Sequence, residues 1–137
     1  MPKTIKNIYD NSVSFENLLK AHKKARCGKR EKKKIILFEL KLEQELLELD
    51  KQLKNGRYKH GGYTKFKIYE PKERIIMASE YKDRVVHQWY VEKFIKPYFV
   101  PQFISTSYAG IEGRGMHKAS KDVQKAMRSA KSKWKNY

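Results

Sequence analysis

A single change of period decides what this chain can fold into. Between positions 14 and 53 the apolar residues recur at intervals of three and four. Past Gly61-Gly62 the chain alternates, with Tyr63, Lys65, Lys67 and Tyr69 on one side and Thr64, Phe66, Ile68 and Glu70 on the other. The first spacing gathers side chains on one face of a helix; the second divides them between the two faces of a strand. Pro71-Lys72-Glu73 supplies turn chemistry, and residues 74–79 form a β-branched, apolar run. The two runs predict a β-hairpin turning near Pro71. Strands and helices do not alternate, so the predicted class is α+β, mainly helical with one β-hairpin, rather than a parallel α/β sheet.

Around the hairpin the helical pattern is clear. Ser14 with Glu16 and Asn17 marks a helix start, and Phe15, Leu18, Leu19 and Ala25 form its apolar face. It should stop near Gly28. A longer helix is predicted over 31–53, carried by Leu40, Leu42, Leu46, Leu47, Leu49 and Leu53 and ended by Asn55-Gly56. Glu43, Glu45 and Glu48 keep its outer face acidic. Asp83 opens a further helix that buries Val85, Val86, Trp89, Tyr90, Phe94 and Ile95, with Pro97 and Pro101 limiting it. Residues 103–109 are expected to be short and extended, 110–115 a basic loop with three glycines, and 116–131 a last helix with a thin stripe of Ala119, Val123 and Met127.

Charge narrows the choice of partner. The 137 residues hold 32 Lys and Arg against 15 Asp and Glu, a net charge of +17. That length suits one domain over 1–137. No stretch approaches the roughly 18 uncharged apolar residues of a membrane-crossing helix, and the first ten residues lack the apolar centre of a signal peptide. Cys27, the sole cysteine, excludes an internal disulfide and a Cys-based zinc cluster and suits a reducing cytoplasm, the expected location. It has nothing to pair with and is taken as incidental. Residues 20–34 carry nine Lys or Arg and one acid, Glu31; residues 114–137 carry eight and one acid, Asp122. One such run alone reads as a solvated helix face. Two runs and the overall excess favour a polyanion, namely nucleic acid. A membrane surface is the rival, but no basic helix has a broad apolar face with Trp or Phe.

Several short motifs then occur in a telling order. They are Lys72-Glu73-Arg74-Ile75-Ile76, then Tyr81-Lys82-Asp83-Arg84-Val85-Val86-His87, then Ser107-Tyr108-Ala109-Gly110-Ile111, then Gly113-Arg114-Gly115-Met116-His117-Lys118-Ala119. Each is weak alone. In this order and spacing, with Ser14 to Leu19, Ala25-Arg26 and residues 53–58 upstream, the chain resembles the N-terminal fingers part of a prokaryotic reverse transcriptase. The retron, diversity-generating-retroelement and group II intron enzymes are the nearest in kind. The likeness covers about residues 15–119.

The resemblance implies a reverse-transcriptase fingers subdomain without the catalytic strands of the palm. It would be the template-primer and nucleotide-holding segment of an RNA-directed DNA polymerase. Arg74, Lys82 and Arg84 would face the nucleotide triphosphate, and Lys72, Tyr108, Arg114 and Lys118 the template or its phosphates. The partners implied are an RNA template, an RNA–DNA hybrid and the missing palm and thumb half. A homodimer through the surface that half would cover is a further expectation. The four aspartates, Asp10, Asp50, Asp83 and Asp122, include no Asp-Asp pair. Two-metal nucleotidyl transfer needs closely placed carboxylates. No catalytic residue is therefore assigned in this chain, the family's catalytic Asp motifs are expected beyond Tyr137, and Mg²⁺ is expected only in the complete enzyme. Alone, this fragment should not extend a primer.

The chemistry of these residues fits beside plainer readings. Arg and Lys on a stiff hairpin can neutralise a triphosphate, with Arg contributing bidentate contacts, and a Lys and an Arg eight apart across a strand can converge on one polyanion. Equally, Arg74, Lys82 and Arg84 can pair with Asp83, Glu73 or Glu80 or stay solvated. The glycines of 110–115 can bring backbone N–H groups to a phosphate or simply form a flexible turn. Tyr108 can stack on a base or be a buried aromatic. His87 and His117 read as packing residues, Trp89 as core, and Trp134 as a tail residue that is unsatisfied or faces nucleic acid. Two other classes remain open: a stand-alone basic RNA-binding module, and an interaction protein docking through its acidic-faced helix.

Overall fold

The structure, a computed structural model, describes residues 6–133; Trp134 lies outside them. The fold is α+β, mostly helical, and among the described residues its one sheet is a two-stranded antiparallel hairpin. Residues Met1–Ile95 and Lys96–Tyr137 form two compact units. Among the described residues no helix is long and apolar enough to cross a membrane.

In the first unit a short helix, α1 (Ile8–Ser12), precedes α2 (Phe15–Ala25). Ser14 caps α2 as its sequence predicts, its Oγ accepting the Asn17 backbone N–H at 3.3 Å. The helix predicted over 31–53 is instead two helices, α3 (Lys33–Leu40) and α4 (Leu42–Lys54). At Lys41 the backbone leaves helical geometry (φ −120°, ψ 27°), and its N–H reaches back only three residues, to Phe38. The buried positions Ile35, Phe38, Leu46, Leu49 and Leu53 keep one helical phase through this break. A hydrophobic pattern therefore cannot reveal it.

The hairpin follows as predicted, β1 (Tyr63–Ile68) pairing with β2 (Arg74–Ser79), and Ile68 opposite Arg74 at the turn. Helix α5 (Tyr81–Tyr90) opens two residues earlier than Asp83. Pro97 does not end the helical path. The chain continues through a wide π-type coil, Val91–Phe99, with Pro97 inside it. Widening moves the carbonyl four residues back away from the ring, which relieves the clash of a proline in a regular helix.

The core lies where α2 packs on α5 and α4, and α3 packs on both. Leu18, Leu46, Leu49 and Val85 are wholly buried, each leucine contributing roughly 1.5–3 kcal/mol by leaving water. Trp89 is buried and donates its indole N–H to the Ser12 carbonyl at 2.9 Å, locking the α1–α2 corner onto α5. Other predicted core members are not core: Leu40 is 76% exposed, Tyr90 49% and Leu47 43%.

In the second unit residues 103–109 form turns rather than a strand, with the Ser107 N–H bonded to the Ile104 carbonyl. The final helix, α6, runs Met116–Lys133. Of its predicted stripe, Ala119 is half-buried while Val123 and Met127 are exposed, as is Met116.

Candidate nucleic-acid interface

The hairpin stands away from the core. Every residue of β1 is exposed. The register places Thr64, Phe66 and Ile68 beside Arg74, Ile76 and Ala78 on one face, and Tyr63, Lys65 and Lys67 beside Ile75, Met77 and Ser79 on the other. Both faces thus mix apolar and polar groups, and Phe66, Ile75 and Met77 are exposed. A lone two-stranded hairpin is marginal in water, so its base must be held.

Asp83 holds it. This buried carboxylate accepts the Tyr58 hydroxyl at 2.6 Å and the Gly61 N–H at 3.1 Å, and His60 Nε2 lies 3.7 Å away. A Cβ on Gly61 would stand 2.9 Å from oxygens of both Asp83 and Glu80, so glycine is what lets the backbone come this close. Burial, reinforced by Asp83, pushes the Tyr58 hydroxyl well above its ordinary range. The segment entering β1 is therefore pinned to the first turn of α5. His60 also stacks between Tyr63 and the exposed His87.

Arg74 and Lys72 sit at the far, open end of the hairpin. Both are exposed, with no carboxylate within 4 Å among the described residues. Glu73 is engaged by Lys67 at 2.6 Å instead. Lys82 is at the opposite end of β2. Five residue steps of extended chain, about 17 Å, separate Arg74 from Ser79, so the two cations do not converge through the strand. Lys82 is 3.6 Å from Glu48, a partner the sequence did not suggest. It shares a groove between α3 and α5 with Lys34 and Lys41, floored by Phe38 and Tyr81 and also carrying Glu45 and Glu80. Arg84 is half-buried, two residues further round α5 and hence on another side of that helix. It has no carboxylate within 4 Å among the described residues. Asp83, expected as its partner, is committed to Tyr58 and Gly61.

The remaining candidates belong to the second unit. The Tyr108 hydroxyl donates to Asp122 at 2.7 Å, and that bond raises its pKa. The 110–115 loop is a defined turn: the Arg114 N–H bonds to the Ile111 carbonyl, and Gly110 and Gly113 take left-handed φ of 69° and 74°. Glycine serves there because a Cβ would be strained. The Arg114 guanidinium donates to the Ile104 carbonyl at 3.2 Å, and Lys118 projects into solvent from α6. His117 is exposed as well.

Among the described residues no His, Cys, Asp or Glu side chains gather into a group able to hold a metal ion. Asp50 is 2.6 Å from Lys54, Asp122 binds Tyr108, and Asp83 is used internally. These carboxylates do not fit the Mg²⁺ pair of nucleotidyl transfer. Sequence reasoning counted Lys34 only as part of the 20–34 run and passed over Lys41; only the α3–α5 packing brings the two beside Lys82. It also passed over Lys65 and Lys67, although the period of two already puts them on one face. No protein-family model matches this chain, and no curated protein matches it significantly.

Proposed function

We propose that this chain holds nucleic acid by its phosphates, as the fingers-type segment of an RNA-directed DNA polymerase gripping an RNA template and its RNA–DNA hybrid. The observation that carries the reading is the basic, solvent-facing tip of a hairpin fixed at its base. Lys72 and Arg74 lack carboxylate partners there, in a chain of net charge +17. A rigid support lowers the entropy lost when such side chains bind. In this reading Arg74, Lys82 and Arg84 serve the nucleotide triphosphate, and Lys72, Tyr108, Arg114 and Lys118 serve the template. Since Arg74 and Lys82 lie at opposite ends of β2, they would act on different parts of the bound substrate rather than on one phosphate.

Fluorescence anisotropy with a labelled RNA–DNA hybrid tests the reading. Contacts to about six phosphates predict a log–log salt slope near −4 to −5. A slope near zero would contradict it and favour an interaction protein that docks a protein partner through its acidic-faced helix. Primer extension separates the polymerase role from a stand-alone RNA-binding module. The chain alone is expected to bind without synthesis. Supplied with a palm half, it should lose nucleotide use on Arg74→Ala while template binding stays nearly unchanged.

A further inference from the structure

The strongest concentration of unneutralised charge is not on the hairpin. It lies at the end of α2, the connection that follows, and the first turn of α3. Nine Lys and Arg occupy residues 20–34. Among the described residues only two have carboxylate partners, Lys24 with Glu92 and Arg26 with Glu39, each at 2.6 Å. Lys20, Lys23, Lys29, Arg30 and the lysines at 32–34 are exposed, with no carboxylate within 4 Å among the described residues. Glu31 is the one acid in the run.

This connection is built rather than slack. Three successive turns close it, through the N–H groups of Cys27, Lys29 and Lys32 bonded to the carbonyls of Lys24, Arg26 and Lys29. Gly28, at φ 68°, permits the reversal. One carboxylate ties the last turn of α3 back to the end of α2, where the connection begins. Glu39 of α3 takes Arg26 and lies 3.3 Å from the buried His22 of α2, whose ring stacks on Phe38. The cations are thus presented from a fixed frame.

The local charge also runs against the helix it adjoins. Lys32 stands at the N-cap of α3 without a side-chain cap bond, and Lys33 and Lys34 fill its first turn, with no acid there. Positive charge at the positive end of a helix is repulsive. α2 shows the ordinary alternative, with a Ser cap and Glu16 in its first turn. A local rule broken with no internal compensation marks a surface kept for a ligand, and the ligand that relieves all these charges is a polyanion with closely spaced phosphates.

We infer that the α2–α3 connection is a second phosphate-backbone grip, separate from the hairpin, for the RNA–DNA hybrid; this rests on the nucleic-acid reading above. Lys29, Arg30 and Lys33 are its centre. All three side chains are exposed, so substituting them should change binding with little effect on folding.

The test compares three full-length proteins by hybrid anisotropy across a salt series: wild type, Lys29→Gln/Arg30→Gln/Lys33→Gln, and Lys72→Gln/Arg74→Gln. Circular dichroism confirms equal folding. Removing three phosphate contacts should weaken binding roughly 100-fold at physiological salt and make the salt slope shallower by about 2 to 3. The hairpin variant keeps the connection's grip and should still bind, and a fourth protein combining both sets should bind more weakly than either variant alone. Wild-type binding with an unchanged triple variant would overturn this inference alone. A wild type that does not bind would overturn the nucleic-acid reading and this inference with it. Binding by the wild type to vesicles containing phosphatidylserine, but not to the hybrid, would assign the patch to a membrane surface and likewise overturn it.

Discussion

The helical core and the hairpin, both in the first unit, solve opposite problems. In the core, Leu18, Leu46, Leu49, Val85 and Trp89 are sealed from water among four helices, α2 to α5. In the hairpin, all of β1 is exposed and apolar groups face solvent on both sides. The core derives its stability from burial. The hairpin has its cross-strand ladder and one anchored end, where Asp83 ties Tyr58 and Gly61 to α5. The difference teaches that rigidity at this surface comes from a buried polar anchor rather than from packing, which leaves its faces free for a ligand.

Substitutions should break this contrast most visibly at Trp89. Trp89→Ala removes a buried ring and its bond to Ser12, and should cost about 3–5 kcal/mol in chemical denaturation. Ile75→Ala on the exposed hairpin face should cost no more than about 1 kcal/mol. Equal costs would mean that the hairpin face is covered in solution. Next in size is Asp83→Ala. Leaving the Tyr58 hydroxyl and the Gly61 N–H without their acceptor should cost about 2–3 kcal/mol. Hydrogen exchange should show the hairpin amides losing protection before those of α4. Asp83→Asn, which keeps an acceptor, should recover part of it.

Acid should act through the core rather than the hairpin. Burial lowers the His22 pKa below its ordinary 6.5, against the opposing pull of Glu39. The unfolded chain therefore binds this proton more readily. Stability is full above pH 6.5 and falls as the pH drops through 6.5 toward the folded value. Thermal melts from pH 7.5 to 5 should show this decline, and His22→Gln should flatten it. Glu39, lowered by its bond to Arg26, adds a separate loss only at lower pH, as it protonates. The smallest effect on stability belongs to Lys72→Gln/Arg74→Gln, expected within about 0.5 kcal/mol of wild type. A larger loss would give the tip a structural duty.

The pattern of residues carried some of this plainly. Period two and the Pro71 turn located the hairpin, Ser14 located the start of α2, and Val85, Val86 and Trp89 were identified as core. The break at Lys41 was hidden because the buried phase runs through it unchanged. Tyr90 and Leu40 were misplaced because a helix facing few neighbours buries a narrower stripe than its sequence offers. For the candidate interface, the basic character of residues 20–34 and of the hairpin was legible, but pairing was not. Which cations are neutralised depends on distant partners: Lys82 finds Glu48, Arg26 finds Glu39, and Asp83 turns toward Tyr58 rather than Arg84.

The most direct measurement is hydrogen exchange of the whole chain with and without saturating RNA–DNA hybrid. The expected result is added protection at residues 26–34 and 63–79, with the amides of α4 unchanged. No change at either surface under saturating hybrid would contradict the claim that unpartnered cations on these anchored elements hold nucleic acid.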